Sequence, residues 1–131
     1  MKTLFEIKEP LPFDEKIFDK LSANAKAALD GANKGEFTQA IALLTESGEV
    51  YCRLIQNVLD AEHIDEKKLI EKLDGAKVSH ILCMWQDGAI DIPSRDFRKL
   101  LLQSNSDNAE SGIFVRSAQG YSVIKLGNTM K

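Results

Sequence analysis

The chain has 131 residues, enough for one domain and too few for two ordinary ones. Apolar residues make up 44% and charged residues 28%, a balance that excludes a disordered chain. A formal net charge of −3 argues against a polybasic nucleic-acid binder, and two cysteines are too few for a disulfide scaffold or a cysteine-rich zinc module.

The charge is unevenly spread: residues 1–75 carry a net −5 and residues 76–131 a net +2. No apolar run approaches the roughly 20 residues of a membrane-spanning helix, and Leu4, Phe5 and Ile7 are interrupted by Glu6, so no secretory h-region forms. A cytoplasmic location is expected, with Cys52 and Cys83 as reduced thiols.

In chain order, Lys2–Lys8 is read as a short strand ahead of the Pro10-Leu11-Pro12 turn. Asp14 caps a first helix, with Phe13 and Phe18 as its hydrophobic staple and Ile17, Leu21, Ala25, Ala28 and Leu29 at helical spacing. Residues 31–35 punctuate the chain with glycines at both ends. Phe37, Ala40, Ile41 and Leu44 predict a second helix over 36–46, closed by Ser47-Gly48. Val50, Leu54 and Val58, flanked by Tyr51, Ile55 and Leu59, predict a third over 49–61. Asp65 is expected to cap a fourth, with Leu69, Ile70 and Leu73 inward and Gly75 as its stop.

Beyond Gly75 the hydrophobic period changes from 3.6 to 2. Residues 78–86 predict a central strand, and Asp87-Gly88 a two-residue turn that sets Trp85 opposite Ile90 and Cys83 opposite Ile92. Ser94 caps a helix to about Ser104, with Phe97, Leu100 and Leu101 buried. A second hairpin around Gln119-Gly120 sets Ile113 opposite Leu126, Val115 opposite Ile124 and Ser117 opposite Ser122. The fold class is therefore α+β, a single domain of about four N-terminal helices (1–75) packed with a C-terminal ββαββ antiparallel sheet (76–131).

Chemistry-bearing residues are sparse. His80, Cys83 and Trp85 share the first C-terminal strand and could form a small-molecule or thiol-enzyme site. A buried histidine and an inert thiol explain them as well. Ser79 and His80 are adjacent on a strand, so they are expected to point to opposite faces. His63 lies among Asp60, Glu62, Asp65 and Glu66, one histidine with carboxylates and thus a weak metal set. No phosphate-loop, calcium-loop or dinucleotide glycine spacing occurs, so neither metal nor cofactor is expected. Arg95, Arg98 and Lys99 form the one local basic cluster, a candidate phosphate contact and equally an ordinary helix surface.

Residues Ala25–Ser47, with Ala28, Gly35, Phe37, Ala40 and Ile41, look like part of a tetratricopeptide helix pair; a single copy reads as an ordinary helical hairpin. In size, acidity and lack of catalytic groups, the chain resembles the immunity proteins that neutralise bacterial toxins in contact-dependent inhibition systems. That resemblance implies a non-enzymatic protein that binds a cognate toxin domain. Asp60, Glu62, Asp65 and Glu66 would form the patch that meets this basic protein partner, with no membrane partner; the alternative is a nucleic-acid-associated module that uses Arg95, Arg98 and Lys99.

Overall fold

The computed structural model describes residues 10–31, 37–118 and 120–130. The strand expected at Lys2–Lys8 and most of the punctuation at 31–35 lie outside these residues.

Helix α1 (Glu15–Asp30) begins as its sequence dictates: Asp14 accepts a hydrogen bond from the Ile17 amide at 3.1 Å, and Phe13 and Phe18 meet at 5.4 Å between ring centroids. Strands β1 (Gln39–Thr45) and β2 (Val50–Ile55) then form an antiparallel hairpin. Both had been expected as helices, and the tetratricopeptide-like pair does not form. Ala40, Ile41, Ala42 and Leu43 are all fully buried, because β1 lies between β2 and β3 with apolar cover on both faces. Such a strand reads as a continuous apolar run, which periodicity alone does not separate from a buried helix.

Helix α2 (Ile64–Leu73) follows, ending on Asp74 and Gly75 at positive φ. Strand β3 (Val78–Trp85) pairs along one edge with β1. Along its other edge it pairs with the short β4 (Ile90–Asp91) near its end and with β5 (Gly112–Ser117) near its start. Helix α3 (Arg95–Ser104) and a 3-10 turn at Ser106–Glu110 carry the chain from β4 to β5. Strand β6 (Gly120–Lys125) closes the order β2-β1-β3-β5-β6.

The ββαββ order is as expected, but the sheet is mixed: β5 runs parallel to β3. A helical connection returns the chain to the same end of the sheet, which makes the next strand parallel. Both hairpin registers also differ. Met84 faces Ile90 and Cys83 faces Asp91, one residue from expectation, because the loop takes three residues with Gly88 at φ 91°. In the second hairpin Ile113 faces Ile124 and Ser117 faces Gly120, a two-residue offset that preserves the buried faces.

The sheet separates two apolar layers. On one side Leu21, Ala25 and Leu29 of α1 pack on Ala40, Ala42, Leu82, Phe114 and Val123. On the other, Leu69, Leu73, Phe97 and Leu101 from α2 and α3 pack on Ile41, Leu43, Ile81, Cys83, Ile113 and Val115. The helices are thus segregated by face, and α2 and α3 are brought side by side. No described helix is long and apolar enough to cross a membrane.

Where β5 passes β6, a Cβ on Gly112 would lie 2.5 Å from Val123 Cγ1 and 3.3 Å from Leu11 Cδ1. Gly112→Ala is therefore expected to destabilise the fold by about 1–3 kcal/mol through overpacking, measured as a lower denaturant midpoint at unchanged slope.

Candidate functional site

The loop after β2 is ordered by its own polar residues. Val58 N donates to Phe37 O, Leu59 N to Asn57 Oδ1, Glu62 N to Asp60 Oδ1 and His63 N to Asp60 O. The loop ends at His63, which stands immediately before α2 in the left-handed region at φ 52° and ψ 41°. That conformation costs a non-glycine residue about 1 kcal/mol or more, so it must be held by its surroundings.

Asp65 does not cap α2. Its carboxylate faces back to β2, accepting from Gln56 N at 3.0 Å through Oδ2 and from Arg53 Nη2 at 3.0 Å through Oδ1. It clamps the helix start to the end of the strand, so the expected cap serves a tertiary contact instead.

Within the first turn of α2, Glu66 is 1% exposed. Its Oε1 lies 2.7 Å from His63 Nδ1, and its Oε2 accepts a 2.9 Å hydrogen bond from Ser94 Oγ. Ser94 also caps α3, accepting from Phe97 N at 3.1 Å. His63 Nε2 reaches Asp96 Oδ2 at 3.0 Å. Each ring nitrogen of His63 thus faces one carboxylate. The network Ser94–Glu66–His63–Asp96 thereby joins the first turns of α2 and α3.

Beside it lies a cavity of about 220 Å³ lined by Ile55, Gln56, Asn57, Asp60, His63, Ile64, Asp65 and Glu66. That is smaller than the roughly 300–1,000 Å³ of drug-sized sites and suits a compact ligand. Ile55 and Ile64 supply apolar wall, with Ile64 46% exposed to the opening. Amides and carboxylates supply the polar partners.

Of the four residues expected on one acidic surface, Asp60 and Asp65 line this cavity and are partly covered, Glu62 is exposed, and Glu66 is buried. They do not share an open patch. Glu66 cannot present surface charge because α3 covers it, and Asp65 is paired with Arg53.

The alternative site at His80, Cys83 and Trp85 does not assemble. Cys83 is fully buried in the α2/α3 layer, and burial pushes its thiol well above the usual range. His80 stacks on Phe114 in the other layer, with centroids 5.6 Å apart, and burial lowers its pKa. Trp85 Nε1 donates to Asp91. Contrary to expectation, His80 Nδ1 and Ser79 Oγ do meet, at 3.1 Å, beside the register shift at Leu44/Thr45. The Ser79 hydroxyl proton goes to Leu44 O, however, so the serine is not activated.

The basic cluster is also divided. Arg98 is drawn inward, donating to Pro93 O at 3.0 Å and Thr129 O at 3.2 Å, which leaves Arg95 and Lys99 exposed. Among the described residues no group of three His, Cys, Asp or Glu side chains could hold a metal ion.

No protein-family model matches the chain, and no curated protein sequence matches it. Solved structures do. Cytidine deaminase from Mycobacterium leprae superposes with a TM-score of 0.64 at 21% identity, covering 86% of this chain and 96% of that one. The Bacillus anthracis cytidine deaminase gives 0.65 at 17% identity, with 86% of each chain covered. The Mycobacterium tuberculosis enzyme gives 0.60 at 20% identity, covering 86% and 92%. The chain is thus similar in fold to the cytidine deaminases.

This likeness overturns the expectation of a non-enzymatic immunity protein and toxin inhibitor. That reading rested on the lack of a convergent set of chemical groups. The fold is one that enzymes use, and His63, Glu66, Ser94 and Asp96 do converge beside a cavity. Sequence reasoning missed the set because its members come from two helix starts about 30 residues apart. The available signal was a histidine and a serine each standing just ahead of a helix.

Burial pushes the Cys52 thiol up to about 11, which holds it as the unreactive thiol at pH 8. Both cysteines are therefore expected to react with a thiol reagent at pH 8 only on unfolding, read as a slow phase that denaturant abolishes.

Proposed function

We propose that the chain is a small-molecule enzyme of the deaminase fold whose cavity takes a nucleoside or its base, with Glu66 as the proton-transfer group. The observation that carries this reading is the buried Glu66 carboxylate lining the cavity, held by His63 and Ser94. A buried carboxylate held in place by hydrogen bonds at a cavity wall is a positioned proton-transfer group. Ile55 and Ile64 provide faces for a flat ring, and Gln56 and Asn57 can match its donor and acceptor edge. The fold neighbours act on cytidine by their names, which directs the choice of ligand to pyrimidine nucleosides.

Zinc chemistry does not transfer with the fold. Zinc deaminases hold the metal through H-x-E and P-C-x-x-C segments, in which the histidine and both cysteines are ligands and the glutamate moves protons. Set against those patterns by spacing, the starts of α2 and α3 here read His63-Ile64-Asp65 and Pro93-Ser94-Arg95-Asp96-Phe97. Serine replaces one thiolate with a neutral hydroxyl, and phenylalanine replaces the other with no donor at all. Asp65, at the glutamate position, is committed to Arg53 and Gln56. These residues do not fit a zinc ion, so the proposed chemistry belongs to the protein's own carboxylate and imidazole.

Calorimetric titration with cytidine, uridine and cytosine tests this reading. At least one is expected to bind saturably at one per chain. Glu66→Gln is expected to weaken that binding about tenfold or more, the loss of one hydrogen bond to a charged group. Absence of saturable binding by all three at millimolar concentration would contradict it.

A further inference from the structure

We infer that the Ser94–Glu66–His63–Asp96 network occupies the place of the metal centre and does its structural work, so that this chain completes its fold without zinc. The inference rests on reading the cavity as the deaminase-type site. It goes beyond that reading by assigning what ties α2 to α3.

Three observations carry it. First, the position where a thiolate would stand before α3 is Ser94, whose hydroxyl is already used twice, donating to Glu66 at 2.9 Å and accepting from Phe97 N at 3.1 Å. Second, the other thiolate position is Phe97, fully buried and packed in the core with Leu101 and Cys83. An apolar ring there fills the volume with no ligand to offer. Third, His63 directs both nitrogens at carboxylates, 2.7 Å to Glu66 and 3.0 Å to Asp96. A metal on either nitrogen would have to displace one of these carboxylate contacts.

The substitutions are mutually consistent. A tetrahedral metal would join residues from two helix starts by coordination. Here Glu66 joins the same two starts by accepting from both, with one oxygen for each helix. The buried Glu66 carboxylate meets the His63 ring on one side, and Asp96 holds the far side of the ring. Removing His63 or Ser94 would strand a buried carboxylate, which is strongly destabilising, and removing Glu66 would leave both partners without the bond that joins the two helix starts.

The test uses the intact wild-type chain. It is expressed in zinc-supplemented medium, and its metal content is read by inductively coupled plasma mass spectrometry. Its melting temperature is then measured with and without a strong zinc chelator. The expected result is far less than one zinc per chain and a melting temperature that the chelator does not move, since a bound metal would add stability by linkage. Glu66→Ala is expected to melt about 10 °C or more lower, or to fail to fold, with added zinc giving no recovery. Stoichiometric zinc in the wild type, a chelator-induced drop in melting temperature, or a Glu66→Ala variant as stable as the wild type would each overturn the inference. The nucleoside titration, run in chelator, separates the two proposals. Zinc retention with nucleoside binding would defeat only the metal-free network, and metal-free protein without nucleoside binding would defeat only the ligand reading.

Discussion

A carboxylate that is 1% exposed must be compensated where it sits, and Glu66 sets this requirement for the α2/α3 side of the molecule. Both of its oxygens are partnered, one by His63 just ahead of its own helix and one by Ser94 just ahead of the next. The left-handed backbone at His63, the position of the α3 N-cap and the closeness of the two helix starts are parts of one geometric solution. Asp65 adds the second anchor, fixing the same helix turn to β2 through Arg53 and the Gln56 amide.

The sheet supplies the platform. Strands β1 and β3 are buried on both faces, so they provide a rigid base on which α2 and α3 pack side by side. The parallel β3–β5 pairing demands a crossover, and α3 is that crossover. The placement of Ser94 next to Glu66 follows from this topology. The cavity opens where β2 gives way to the ordered loop, between the strand end at Ile55 and the first turn of α2. Pairing of polar groups and the apolar wall of Ile55 and Ile64 give it the character of a ligand site.

Much of the C-terminal half was legible because its signals are local. Ser94 as an N-cap, the glycine turns and the alternation of β5 and β6 each act within a few residues. The hairpin registers slipped because loop length, not turn composition alone, fixes them. The N-terminal half was harder for a definite reason. Gln39–Thr45 is covered on both faces, and Ala-Ile-Ala-Leu-Leu satisfies a helical period as readily as a buried strand. The site was less legible still. Asp65 looked like a cap and became a clamp, while Glu66 looked like surface charge and became the buried centre. Neither outcome can be read without knowing that α3 returns to cover α2, a long-range fact carried by the β3–β5 pairing.

The central claim is that Glu66 and Ser94 act as one bonded unit across two helices. A double-mutant cycle on unfolding free energy, using Glu66→Gln, Ser94→Ala and the double variant, measures this most directly. A coupling of about 1–3 kcal/mol is predicted, the range for a hydrogen bond to a charged group. Additive effects, with coupling indistinguishable from zero, would contradict the account.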